Sequence, residues 1–222
     1  MKVGSRARLM EGVGCAVGVM LLSGCSLITP ASRPEPEAFL LALDGGAETA
    51  SVGTPVPEAQ GKERSGARVL LEQESSAPAG SSTRILFVSK KGTLGSYQFA
   101  QWAEPPANVF QRVFFDRLRK ARRVADVSTS SGLIAADRLV RFRMDRFWLD
   151  NSVDVSPVAR VEVEISVIDL EHRRTVGQHS FVETVAVGDP SAETTVRALT
   201  EAGKRVVERG VVWTQLVLEA AL

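Results

Sequence analysis

RVEVEISVI, residues 160–168, decides the fold. Val161, Val163, Ile165 and Val167 alternate with Glu162, Glu164 and Ser166. A period of two puts successive side chains on opposite faces of a strand, so this segment lies in a sheet with one apolar and one polar face. Working outward, Thr175–Val187 reads as a second strand, and the turn Glu171-His172-Arg173-Arg174 folds it back as a hairpin. On the other side, Val140, Phe142 and Met144 alternate with Arg141 and Arg143, which predicts a third strand.

Helices are expected on either side of these strands. Pro105-Pro106 suits a helix's first turn, where the missing N–H is not needed. From Ala107, Val109, Phe110, Val113, Phe114 and Leu118 fall on one helical face, and the helix is expected to end near Arg123. Val124–Val127 follows as a short strand. Ser191 is a suitable N-cap for a long closing helix, whose apolar face holds Val196, Leu199, Val206 and Val207 and continues to Trp213 and Leu216. Upstream, Phe39–Leu43 reads as a first strand. Arg68–Gln73 and Arg84–Ser89 read as a pair of strands joined through the Ser, Pro and Gly of residues 75–82, and residues 90–104 as a loop. The predicted class is α+β, a mostly antiparallel sheet covered by two principal helices.

The N-terminal stretch has a different logic. Lys2, Arg6 and Arg8 precede the uncharged run Gly12–Leu22, and Leu22-Ser23-Gly24-Cys25 closes it. Eleven residues fall short of the roughly 20 that span a bilayer, so the run reads as the core of an export signal. The last four residues resemble the lipobox of bacterial lipoproteins. That resemblance implies cleavage between Gly24 and Cys25 by signal peptidase II, with diacylglycerol and fatty acyl groups on Cys25. Each buried CH₂ adds about 0.8 kcal/mol of membrane affinity, so two or three chains anchor durably. An ordinary signal followed by a chance cysteine is the alternative. Ser26 stands where an Asp often marks inner-membrane retention, which leans the expected location to the periplasmic face of the outer membrane.

The expected organisation is a signal peptide over 1–24, a lipidated tether over 25–37, and one domain over 38–222 with a low-complexity insert near 44–67. Residues 26–37 carry three prolines and, at about 3.3–3.6 Å per residue, reach roughly 40 Å. The only other cysteine, Cys15, lies in the leader, so the mature chain has no disulfide partner for Cys25. Removing 24 residues with three basic groups and one acidic group moves the net charge from +1 to about −1 and leaves 198 residues. A near-neutral body lacks the basic excess a nucleic-acid binder needs to neutralise phosphates.

The order of pieces resembles the ABC-type transport auxiliary lipoproteins, the PqiC-like family. The resemblance rests on the lipobox cysteine, FLLAL (39–43), RILFV (84–88) and Tyr97 followed by Trp102-Ala-Glu-Pro-Pro. It continues through the amphipathic helix, ADRLVRFRMDRF (136–147), VEVEISVIDLEHRR (161–174) and a closing helix with Trp213. The chain departs from the pattern in its long insert and in Phe39, where Tyr is common. The resemblance implies a non-catalytic docking role, anchored in the outer membrane, beside an MCE-domain protein of an ABC transporter that moves lipids between membranes. MCE proteins form rings, so a homo-oligomer of matching symmetry is a further expected partner. The alternative is an envelope-assembly or structural lipoprotein that contacts peptidoglycan or an outer-membrane barrel.

Few residues suggest chemistry. Tyr97 and Trp102, in the predicted loop, either mark a contact site or lock the loop onto the sheet. Trp213 reads as core. Arg117, Arg119, Lys120, Arg122 and Arg123 either bind lipid phosphates or an acidic partner, or answer the dipole at a helix end. His172 and His179 are too few for a zinc site, so no metal and no cofactor beyond the lipid on Cys25 is expected. No G-x-S-x-G elbow, phosphate loop or G-x-G-x-x-G run is present, and no enzymatic activity is expected.

Overall fold

A computed structural model describes residues 34–44, 66–74, 78–121, 124–129, 135–152 and 156–221. The leader, Gly24, Cys25, most of the tether, residues 45–65, Arg122 and Arg123 lie outside them. The elements run β1 (Glu37–Phe39), β2 (Ala67–Gln73), α1 (Pro78–Ser81), β3 (Arg84–Val88), β4 (Leu94–Trp102), α2 (Pro106–Arg119), β5 (Val124–Ser128), β6 (Arg138–Asp150), β7 (Val158–Asp169), β8 (Arg174–Ala186) and α3 (Ala192–Ala220). The class is α+β, an open eight-stranded sheet with helices on one face.

The alternation in β7 is realised in full. Val161, Val163, Ile165 and Val167 have no exposed area, and the residues between them are half-buried. β7 pairs antiparallel with β6 and β8 along nearly its whole length. β6 is longer than the sequence pattern predicts, and one residue explains why. Met144 faces Val163 and Arg146 faces Glu162, so Asp145 is an unpaired extra residue, a β-bulge. Val140, Phe142 and Met144 point inward before it, and Phe147 and Leu149 after it, all nearly inaccessible. The bulge shifts the phase by one residue, which hides the second half of the strand from a strict period-two reading.

β2 and β3 do not pair with each other, contrary to the sequence reading. Both lie parallel to β6 along the same edge, Val69–Gln73 beside Arg138–Phe142 and Leu86–Val88 beside Trp148–Asp150. Parallel neighbours need a crossover rather than a tight turn, and the α1 connection supplies part of it. β5 joins β2, β4 joins β3, and β1 joins β4. Antiparallel ladders hold most of the paired residues, as expected, while four of the junctions are parallel.

Residues 94–102, predicted as loop, form β4. Gly95 interrupts any apolar alternation there, yet a Cβ on it would lie 2.7 Å from the tip of the Phe87 ring. The early strand also differs, because β1 stops at Phe39, and Leu41 and Leu43 are buried in the chain that follows it.

The inward face of the sheet is covered by α2 and α3. Phe110 stacks on Phe114 at 5.5 Å and packs on Phe142 at 5.0 Å, carrying the α2 stripe onto β6. Fully burying side chains of this size stabilises by about 1.5–3 kcal/mol each. α2 ends at Arg119, with the Lys120 N–H bonded back to the Arg117 carbonyl and the Ala121 N–H to the Leu118 carbonyl, rather than near Arg123. α3 starts as expected at Ser191, whose hydroxyl accepts from the Thr194 N–H at 3.3 Å. It approaches β7 closely at Gly210, where a Cβ would lie 2.8 Å from Ile165 Cδ1. Among the described residues, no helix is long and apolar enough to cross a membrane.

Candidate functional site

The residues singled out in the sequence take structural positions. Tyr97 lies on β4, half-buried, and donates its hydroxyl to the Pro190 carbonyl at 2.7 Å, with Thr195 Oγ1 at 2.9 Å. Its ring meets Phe87 edge-on at 5.4 Å. Burial pushes the phenol's pKa up, opposed by the Thr195 hydrogen bond. Tyr97 therefore pins the start of α3 to β4. Trp102 is 1% exposed and packs edge-on against Phe147 at 5.6 Å, so its indole offers no surface to a partner.

Of the basic cluster, Arg117 and Arg119 do not converge on one point. Arg117 bonds the Leu43 carbonyl at 3.4 Å and faces Glu208 at 3.8 Å, while Arg119 lies 5.9 Å from the Phe115 ring centre. His172 bonds Asp169 at 3.1 Å in the β7–β8 turn, whereas His179 sits on β8 against Phe181 at 4.6 Å. Among the described residues, no three His, Cys, Asp or Glu side chains gather to hold a metal.

Asp169 organises the turn between β7 and β8. It is 3% exposed and accepts the backbone N–H groups of Glu171 and His172, each at 3.1 Å. Arg138 approaches it at 3.4 Å and also donates to the Ala221 carbonyl at the end of α3, at 2.7 Å. The His172 N–H foremost, then its ring and Arg138, hold the Asp169 carboxyl below the usual range.

Two surfaces remain. The outward face of β6 and β7 carries Arg141, Arg143, Arg146 and Arg160 among Glu72, Glu74, Asp145, Glu162 and Glu164. Arg141 meets Glu72 at 2.9 Å, Arg143 meets Asp145 at 2.7 Å and Glu164 at 3.3 Å, and Arg146 pairs with Glu162. These pairs neutralise one another and leave no surplus charge to attract a phosphate.

The second surface lies where β8 meets the last third of α3. His179, Phe181, Glu208, Arg209, Val212, Trp213 and Leu216 line an open, largely apolar groove of about 410 Å³. Trp213 lies 5.8 Å from both the His179 and Phe181 rings. Val212 and Leu216 are 58% and 59% exposed, unusual for large apolar side chains on a folded body. Beside the groove, β8 pairs only with β7 among the described residues, so none of these bonds to its outer edge as a strand. Sequence reading missed this surface. Its signal is that VVWTQLVL (211–218) is apolar over more than one helical face, since Val211, Thr214 and Leu218 already fill the buried stripe.

The arrangement offers edges and an apolar groove for binding. No curated protein matches the chain significantly. Among solved structures it is similar to a Xanthomonas campestris protein of the DUF330 family, with 20% identity and a TM-score of 0.63 over 71% of this chain and 89% of that one. It is also similar to an uncharacterized protein, with 9% identity and a TM-score of 0.54 over 67% and 92%. At these identities the likeness shows a shared fold. The family model for the ABC-type transport auxiliary lipoprotein component matches residues 52–209, well over half of the chain. The chain therefore belongs to the ABC-type transport auxiliary lipoprotein family.

Proposed function

We propose that this lipoprotein is a non-catalytic docking component of an MCE-type ABC lipid transport system, held on the periplasmic face of the outer membrane by acyl chains on Cys25. The family match over residues 52–209 carries the reading. The lipobox Leu22-Ser23-Gly24-Cys25 supports the anchor, and the proline-containing tether up to Glu37 supplies reach towards a partner that crosses the periplasm. In this role the acyl chains fix position, the tether sets the distance from the bilayer, and the α+β body captures the end of an MCE-domain protein. A homo-oligomer would match the ring symmetry of such a partner.

Affinity capture of the native protein from envelope membranes tests the reading. Recovery of an MCE-domain protein is expected, and Cys25→Ser should release the chain from the outer-membrane fraction. Recovery of only peptidoglycan-bound or barrel proteins overturns the transport role in favour of an envelope-structural one. Outer-membrane retention of the Cys25→Ser variant overturns the anchor.

A further inference from the structure

A short chain joins Cys25 to the folded body, and the sheet topology fixes the side from which it arrives. β1 runs parallel to β4, with Glu37 beside Ala100 and Phe39 beside Trp102. Residues 34–36, all exposed, therefore enter from the side on which β4 begins. β4 begins at Leu94, opposite Val88 of β3, and Val88 lies beside Asp150 at the end of β6. The turn that joins β3 to β4, residues 89–93, stands at that same end of the sheet.

This turn is held firmly. The Ser89 N–H donates to the Thr93 carbonyl and the Gly92 N–H to the Ser89 carbonyl, each at 2.9 Å, and the Ser89 and Thr93 hydroxyls meet at 2.6 Å. Gly92 reverses the chain at φ 75°, in the left-handed region that glycine adopts freely. Lys90 and Lys91 are thereby carried past the last rung that β3 shares with β6. Both are exposed, and neither is ion-paired among the described residues. Leu94 follows them at 52% exposed and Phe99 at 53%, on the strand that descends from the turn. The acidic groups of this end stand back from the tip. Asp150 is on the last rung and accepts the Ser152 N–H at 3.0 Å. Asp189 adjoins Pro190, whose carbonyl Tyr97 holds over the inner face.

Chain length then decides what this tip can reach. Ala38 and Arg84 are level with each other, because both pair with Gln101. From Arg84 to Lys90 is six strand steps, about 20 Å at roughly 3.3 Å each. The thirteen links from Cys25 to Ala38 span at most about 43–47 Å. The tether is thus long enough for the turn to rest on the bilayer that holds the acyl chains. Resting the β7–β8 turn there instead would oblige the chain to pass the first half of β6 and reverse before entering β1.

We propose that the β3–β4 hairpin is a second contact with the membrane, in which Lys90 and Lys91 lie among anionic phospholipid headgroups and Leu94 enters the interface beside them. Two lysines and one leucine are too weak to recruit a protein from solution. On a chain already held by acyl groups the same contact becomes intramolecular, and its effective concentration is set by the tether. The contact turns the body upright, with the β7–β8 turn directed away from the bilayer. This inference rests on the Cys25 anchor of the proposed function and adds to it the surface that the body presents to the lipid.

Fluorescence quenching on the full lipidated protein in vesicles of phosphatidylethanolamine and phosphatidylglycerol tests it. Leu94→Cys and Arg174→Cys each carry a small apolar fluorophore, one at either end of the sheet. With Cys15 lost in the leader and Cys25 acylated, the introduced thiol alone is labelled. Spin-labelled lipid in the vesicles should quench the Leu94 probe at least threefold more than the Arg174 probe. Adding Lys90→Glu and Lys91→Glu should remove most of that difference, as should vesicles of phosphatidylcholine alone. A Leu94 probe quenched no more than the Arg174 probe overturns the inference, and so does a difference that survives both lysine substitutions. Leu94 is exposed, so an unchanged thermal midpoint is expected. If Leu94→Cys unfolds, a probe at Lys91→Cys should show the same excess over Arg174, and equal quenching there overturns the inference. Vesicle flotation separates the two levels of the reading. Protein that fails to float with the vesicles sinks the anchor and the hairpin contact together, whereas floating protein with an unquenched hairpin sinks the contact and leaves the anchor standing.

Discussion

The two faces of the β6–β7 ladder share a backbone but are built on opposite principles. Inward, Phe142, Met144, Phe147, Val161, Val163 and Ile165 are at most 1% exposed and take up the helices. Outward, arginines of β6 face glutamates of β7 in register, Arg143 opposite Glu164 and Arg146 opposite Glu162. Burial scales with apolar area removed from water, whereas exposed cross-strand ion pairs contribute roughly 0.2–1 kcal/mol each. The inner face therefore sets stability, and the outer face maintains solubility and register. What keeps the two apart along β6 is the extra residue at Asp145.

The largest effect should come from breaking that phase. Deleting Asp145 leaves Met144 in, Arg146 out and Phe147 in, a regular strand. This variant should fold with a cooperative urea transition followed by circular dichroism. Deleting Arg143 instead, two residues away, keeps Phe142 and Phe147 inward only by turning Met144 out and Asp145 into the core. Burying an unpaired carboxylate is costly enough that no cooperative transition is expected. Equal behaviour of the two deletions would show that the bulge does not set the faces. Next in size is Phe142→Ala, which removes the ring packed under Phe110 and should cost about 3–5 kcal/mol, read from the same urea titration.

The phase argument also explains what could be read in advance. β7 was legible because its alternation is unbroken and its polar face is charged. The second half of β6 was not, because the bulge inverts the pattern after Met144. β4 was illegible for a different reason. It lies near an edge, and its pairing with β3 shifts register between Ser96 and Gln101, so no single face of it reads as apolar. The parallel placement of β2 and β3 on β6 depends on long-range contacts, which short-range pattern does not encode. The Ser191 cap and the α2 stripe were local and therefore readable. The groove at Val212 and Leu216 was written in the helix sequence as excess apolar residues, but a widened stripe on a helix reads first as core.

Asp169 sharpens the contrast, because it is a carboxylate buried at the end of the ladder and not on its open face. Hydrogen bonds from His172 and the proximity of Arg138 lower its pKa below the ordinary 3.8. The unfolded chain then binds the proton more readily than the folded one. The resulting stability is complete above the unfolded pKa and is lost as pH falls through the lower, folded value. Asp169→Asn should lower stability at neutral pH and flatten the loss of stability with acid below about pH 4, measured as the urea midpoint against pH. An unchanged acid slope would move the acid sensitivity elsewhere, with Asp137 beside Arg68 the next carboxyl held low by a hydrogen bond.

The smallest effect belongs to the open face itself. Arg141 and Glu72 meet at 2.9 Å across the parallel β2–β6 junction, with 38% and 49% of their side chains exposed. Water and salt screen such a pair, and two long side chains lose rotamer freedom to make it, so the coupling should not exceed about 1 kcal/mol. A double-mutant cycle of Arg141→Gln and Glu72→Gln measures that coupling without the single-residue contributions. It should shrink further in 1 M salt, where the Debye length is about 3 Å. A coupling of several kcal/mol, insensitive to salt, would mean that this face is covered in the native assembly. Two charged residues behave in that way only when water is removed from around them.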